Sequence, residues 1–352
     1  MNAIQKLEMP PFFDPANAGD FDYSPDVAQL KVVAEEWRKR YAIKPAANDQ
    51  VRMVILDIDS QSDFSHKEGS LYVAGRSGEG AIKANAAIAA FEYSYLNRIT
   101  SKRCTLDSHQ PTQIFFPMAH LYADGSTLSS NTFVSVDDYS SGRIKANPYI
   151  AKELGANPTW LNQQYEYYCG QLESKGKKKL FLWDEHTMLG SKGHRLAGVI
   201  EEARLFHSYV RFAANSVELK GFNNFTEHYS IFEPEVTTLW NSKPMPGAQK
   251  NTQFLNTLLY FDIIIICGLA SSHCVMESVR DLKKYIIDVD PKLASKVYIM
   301  ADGTAPVVIP GVYDYTDDAD AALEEFKNDG MNVVNSTEPL ETWPGVAAIM
   351  GL

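Results

Sequence analysis

Cys274, Asp59 and Lys220 are the side chains whose types and settings could together attack a carbonyl. Cys274 follows an apolar run and the loop Gly268-Leu-Ala-Ser-Ser-His, and it opens a segment with helical spacing. A helix N-terminus offers partial positive charge and free amide N–H groups. Both favour thiolate over thiol, and the amides can hold the oxyanion formed when sulfur adds to a carbonyl. The alternative is a small residue packing at a helix start, and position alone does not separate the two. Asp59 ends an apolar run, where a carboxylate is costly unless paired or used. Near a thiol and a lysine it could take the proton from sulfur and return it to a leaving amine. Its other reading is a loop cap, a role Asp63 fits better. Lys220 ends the run Val217-Glu-Leu-Lys, just before Gly221. A partly buried ammonium there would stabilise thiolate and oxyanion together. Cys104 and Cys267 fall inside strand-like runs and Cys169 inside a helix-like one, so these three are read as packing residues.

Asp107-Ser-His109 carries a second kind of chemistry. Residues i and i+2 of a strand face the same side, so this carboxylate and imidazole can share a metal ion. His186, in Trp183-Asp-Glu-His186, is the candidate third ligand. One carboxylate and two imidazoles leave positions open for water or substrate, as a catalytic metal site requires. Five other histidines (His66, His120, His194, His207 and His228) are read as surface or packing residues.

These groups need a scaffold that gathers strand ends. Short branched runs alternate with amphipathic segments, which means an α/β fold: an open, mostly parallel sheet of six or slightly more strands with helices on both faces, three layers α/β/α. Strands are expected at Met53–Asp59, Cys104–Asp107, Leu180–Trp183, Val217–Lys220, Asp262–Cys267, Val297–Met300 and Met331–Asn335. Helices are expected near 26–41, 80–99, 193–213, 251–260, 274–287 and 318–328. Residues 1–48 read as an N-terminal arm, a cover or oligomer contact. Residues 49–345 read as the main domain, and 111–177 as an insertion with two helices, a lid or an assembly surface. Functional groups in such sheets collect at the carboxyl ends of strands. Asp59, Asp107 with His109, Lys220 and the loop before Cys274 all fall there.

Composition narrows the classes. Of 352 residues, 45% are hydrophobic and 22% charged, ordinary for a globular protein. The formal net charge of −11 disfavours nucleic acid or an anionic membrane as partner. No stretch approaches the ~20 apolar residues of a membrane span, and MNAIQKLEMPPFFDP lacks a signal-peptide core. A cytoplasmic setting is expected, where four cysteines without CxxC spacing stay reduced.

Several segments resemble one family in its own order. Asp59-Ser-Gln61-Ser-Asp63-Phe64 resembles the DxQxDF segment of the isochorismatase-like cysteine hydrolase superfamily. Gly268-Leu-Ala-Ser-Ser-His-Cys274-Val275 is similar to its GLATDxCV segment, and Lys220-Gly221 with Tyr229-Ser-Ile-Phe232 to its KG…YSxF segment. Asp107-Ser-His109 and Trp183-Asp-Glu-His186 resemble the DWH and WPxH motifs of the nicotinamidase branch, and Asp302-Gly-Thr-Ala305 its DAxA. The matches run from about residue 51 to 336. The resemblance implies hydrolysis of a small carboxamide to the acid and ammonia through a thioester. Cys274 would be nucleophile, Asp59 base and acid, and Lys220 charge support. It implies an oxyanion site from the amides of Ala270 and Cys274, with a cis Leu269–Ala270 bond. It implies a divalent metal, zinc, on Asp107, His109 and His186, a pocket containing Phe64, Trp183, Tyr229 and His273, and a homo-oligomer. Ser108, Asp184, Ser271 and Ser272 depart from the motifs, and the chain is longer than a typical nicotinamidase. Departures of this kind leave the three catalytic residue types in place and bear on the substrate. Two other classes stay open: metal-centred hydrolysis without a thiol nucleophile, and a catalytically silent binding protein.

Overall fold

The computed structural model describes residues 4–352. Its centre is a six-stranded sheet: β1 (Met53–Ile58), β2 (Ser101–Asp107), β3 (Val217–Lys220), β4 (Ile263–Leu269), β5 (Val297–Ala305) and β6 (Asn332–Val334). The order is β6-β5-β4-β1-β2-β3, and every pairing is parallel. All residues of β1 and β4 are buried. That burial explains why their sequences are near-continuous apolar runs rather than alternating ones, broken in β1 only by Asp57, which pairs with Lys102.

Both faces are covered. On one, α1 (Val27–Arg40), α2 (Gly80–Ser94) and α4 (Gly198–Arg211) pack Trp37, Phe91 and Phe206 against Ile55, Cys104 and Ile265. On the other, α5 (Thr252–Leu259), α6 (Cys274–Val289) and α7 (Thr316–Asn328) pack Leu255, Val279 and Phe326 against Leu56, Ile266 and Ile299. The N-terminal segment belongs to the first core: Leu30, Val33, Ala34 and Trp37 of α1 are buried, and Tyr23 donates its hydroxyl to Glu202 of α4. No helix among the described residues is long and apolar enough to cross a membrane.

Three elements differ from the sequence expectation. Helix α2 ends at Ser94 rather than Ile99, because Arg98 and Ile99 turn back to the Tyr95 carbonyl. Tyr95, Leu96 and Ile99 stay buried in that turn, so the apolar pattern outruns the helix. The strand at Leu180–Leu182 lies outside the central sheet, paired antiparallel with Thr132–Val134. Helix α4 begins at Gly198, not Gly193, since residues 191–195 turn and the chain then bridges the loop after β1 at Leu196 and Gln61: Ser62 N–H meets the Arg195 carbonyl and Ala197 N–H the Ser60 carbonyl. The segment 111–177 folds around α3 (Pro158–Ser174), whose Leu161, Tyr165, Tyr168 and Leu172 enter a cluster with Phe115, Phe116 and Trp183.

Candidate active site

The carboxyl ends of β1, β2 and β3 and the start of α6 meet at one point. Asp59 leaves β1 in a left-handed conformation (φ 49°). Its amide donates to Thr105 Oγ1 at 3.0 Å, and the Thr105 hydroxyl donates to Asp59 Oδ1. Lys220 Nζ lies 2.9 Å from Asp59 Oδ2, 3.0 Å from Asp107 Oδ1 and 3.6 Å from Cys274 Sγ. It also donates to the His228 carbonyl at 2.9 Å. One ammonium, 2% exposed, thus joins two carboxylates and a thiol.

Burial sets the proton inventory. Burial would lower Lys220, but Asp107 and Asp59 hold it well above the ordinary lysine range. Burial raises Asp59, with Asp107 adding to the rise and Lys220 opposing it. Burial also pushes the Cys274 thiol well above its usual value, more than Lys220 lowers it.

The second cluster adjoins the first through Asp107. The ligating atoms of Asp107, His109 and His186 lie within 4.8 Å of one another. His109 Nδ1 faces the Gly221 carbonyl at 3.2 Å, and His186 Nδ1 faces the Asp184 carbonyl at 2.7 Å. With both Nδ1 atoms facing backbone carbonyls, the Nε2 atoms are left to face the cluster, the arrangement of metal-bound histidine. His109 Nε2 stands 3.0 Å from Asp107 Oδ2. Two imidazoles and a carboxylate so oriented fit a divalent ion of borderline softness. Burial and then His109 lower His186 to about 4, which keeps it neutral as a ligand must be. Gly221, at φ 88°, makes the cluster compact: a Cβ there would lie 2.3 Å from Asp107 Oδ1.

A narrow cavity opens above the sulfur, lined by Phe64, Trp183, Tyr229, His273, Ala270, Cys274, Asp107 and His186. The Leu269–Ala270 peptide bond is cis, and the Ala270 carbonyl accepts from the amides of His273 and Val275 at 3.0 and 3.1 Å. Every residue singled out from the sequence as catalytic, metal-ligating or pocket-lining is at this locus. Asp59, Lys220 and His109 lie behind its lining, in contact with Cys274 or Asp107. Asp63 serves as a loop cap, accepting the amides of Thr187 and Ser70 at 2.7 and 3.2 Å.

Sequence reasoning missed others. Glu227 lines the cavity, and burial raises it to about 8. It sits in an irregular loop, where no periodicity marks it. Thr105 was hidden inside a strand. Gln61 ties β1 to β2, accepting the Asp107 amide at 2.7 Å and donating to the Asp107 carbonyl at 2.8 Å. His228, set aside as a packing residue, contributes its carbonyl to Lys220 and accepts the Gly221 amide at Nδ1.

No protein-family model and no curated protein matches the chain. Solved structures do. The yeast nicotinamidase Pnc1p aligns over 81% of this chain and 100% of its own, at 18% identity and a TM-score of 0.50. The same enzyme bound to the inhibitor nicotinaldehyde covers 80% of this chain and 99% of its own, at 17% identity and a TM-score of 0.49. A nicotinamidase/pyrazinamidase of Acinetobacter baumanii covers 82% and 98%, at 16% identity and a TM-score of 0.48. The six parallel strands, their order and the helices on both faces give this chain the isochorismatase-like fold of the yeast nicotinamidase.

Proposed function

We propose that this protein hydrolyses a small carboxamide to the acid and ammonia through a thioester on Cys274. The observation that carries the proposal is the Lys220 ammonium within 3.6 Å of the sulfur and within 3.0 Å of two carboxylates, beneath an aromatic cavity. Asp59 takes the thiol proton as sulfur adds to the amide carbon. Lys220 balances the negative charge of Asp107 and of the reacting sulfur, and the amides of Ala270 and Cys274 receive the oxyanion. Asp59 returns the proton to the departing nitrogen, ammonia leaves and the thioester remains. Asp59 then takes a proton from water as it attacks, and the acid departs with Cys274 protonated again.

Asp107, His109 and His186 would hold a divalent ion, zinc by the donor set, which when bound supplies positive charge for an acceptor atom of substrate or for water. Zinc is expected to raise the melting temperature and magnesium to leave it unchanged. His186→Ala abolishing the zinc shift would support the assignment; an unaltered shift would remove it. Nicotinamide heads the substrate panel because the fold is that of a nicotinamidase. Residues 49–345 form the hydrolase unit in this reading. Residues 1–48 are its cover, and 111–177 bound the substrate side.

The test is ammonia release from nicotinamide and a panel of primary amides. Cys274→Ala should abolish it, and undiminished release from that variant ends the proposal. The histidine–carboxylate cluster favours one other reading, metal-centred hydrolysis without a thiol nucleophile. Activity that survives thiol alkylation but not chelation would select it.

A further inference from the structure

His273 stands at the N-cap of α6, beside the nucleophile, with its ring edge-on to Trp183, Tyr229 and Tyr315 at centroid distances of 5.5, 5.3 and 4.6 Å. Its protonation pattern follows from counting hydrogens. The Val307 amide donates to Ser272 Oγ at 3.0 Å. The Ser272 hydroxyl, completely buried, has one other polar contact, His273 Nδ1 at 2.9 Å. If Nδ1 carried a hydrogen, the serine hydroxyl would be left without an acceptor, at the cost of a buried unsatisfied donor. The serine therefore donates, Nδ1 accepts, and the hydrogen of the neutral imidazole sits on Nε2. Burial keeps the ring neutral by pushing its pKa well below the usual value. Nε2 is itself buried and has no hydrogen-bond partner among the described residues, while the ring lines the cavity above Cys274.

We infer that His273 is a specificity-determining residue, presenting a fixed Nε2–H donor to an acceptor atom that the carboxamide substrate carries away from its amide group. The inference rests on the hydrolase reading above and narrows its substrate class. The cavity takes a flat amide whose body bears a ring nitrogen, carbonyl or hydroxyl oxygen on the His273 side, in preference to a hydrocarbon amide of the same shape. Neither hydroxyl of Tyr229 and Tyr315 is hydrogen-bonded to Nε2. A bare hydrocarbon there would leave the N–H unsatisfied, and sites built to bond a polar group reject analogues lacking it far more strongly than they reject a missing methylene.

The experiment walks the acceptor around one ring. Values of kcat/KM are measured for benzamide and its three aza-analogues (picolinamide, nicotinamide and isonicotinamide) with the wild-type protein, His273→Phe, His273→Gln and Ser272→Ala. At least one aza-analogue should lose tenfold or more relative to benzamide in His273→Phe. It should recover in His273→Gln, whose side-chain amide can donate from the same reach. Ser272→Ala, which frees the tautomer, should give an intermediate loss. Equal losses for all four amides in His273→Phe, or a Gln variant that behaves like Phe, overturn the inference. If the phenylalanine variant does not fold, the serine and glutamine variants decide alone: an aza-analogue preference kept in His273→Gln and reduced in Ser272→Ala supports the inference, and a preference lost in His273→Gln or unchanged in Ser272→Ala overturns it. Absence of ammonia release from every amide with the wild-type protein would instead count against the hydrolase reading itself.

Discussion

Lys220 and Lys102 pose the same electrostatic problem and differ in what else they touch. Lys102 Nζ is completely buried, 2.6 Å from Glu92 and 3.2 Å from Asp57, and is not part of the cavity at Cys274. Lys220 sits between Asp59 and Asp107 and also reaches the sulfur. Removing either ammonium strands two carboxylates in a dry interior, which costs about 3–5 kcal/mol. Lys102→Met is therefore expected to lower the urea midpoint while leaving ammonia release per folded molecule within about twofold of wild type. Lys220→Met should lower both, with release down by about 10²–10³, the range for losing a preorganised charge. Equal effects of the two changes on activity would break the distinction. Gly221→Ala tests the compactness of the metal cluster. Its Cβ would collide with Asp107 Oδ1, at a backbone angle few side chains adopt. A loss of about 1–3 kcal/mol and of the zinc-induced thermal shift is expected. At this scale the sequence was most legible, because Cys274, Asp59, Lys220 and Asp107 are polar groups at the ends of apolar runs, where placing them is costly. Thr105, Gln61 and Glu227 were not. Their types are common in any setting, and only the fold reveals that they brace or face the reacting groups.

Between elements, His207 joins α4 to the turn after α2. Its Nε2–H donates to the Ile99 carbonyl at 2.9 Å, and the Asn215 side-chain amide donates to its Nδ1 at 2.9 Å. Burial, helped by Arg211 and Lys102, holds its pKa down at about 3. An unfolded histidine titrates near pH 6.5. Above that value both states are neutral and the contact is fully stabilising. Between about pH 6.5 and 3 the unfolded chain binds a proton that the folded one refuses, so stability falls as pH falls. His207→Gln keeps the donor to Ile99 and removes the titration. Its urea midpoint should vary less than that of wild type between pH 7 and 4, and parallel curves would contradict the assignment. Element boundaries were only partly legible for related reasons. The buried turn after α2 continues an apolar pattern that periodicity reads as helix. Leu180-Phe-Leu is equally apolar whether it pairs with the central sheet or with Thr132–Val134.

Across the molecule, the N-terminal segment is part of the first core. Trp37 is 6% exposed, packed edge-on to Phe206 of α4 and to Tyr41. Trp37→Ala should cost about 3–5 kcal/mol by calorimetry or urea melts, with ammonia release per folded molecule unchanged. A change near zero would show that this segment merely rests on the surface. The overall architecture was legible because strand-helix alternation admits few arrangements; the packing of the arm was not, since one amphipathic helix suits several faces. The sheet order carries a further consequence. Strand β1 lies between β2 and β4, and its Met53 pairs with Ile263. A ribosome adding about 5–20 residues each second needs roughly 10–40 s to make the chain between those two residues. For that interval the nascent protein carries β1, apolar except at Asp57, with one edge lacking its partner strand, and a bare edge of this kind invites pairing with another chain.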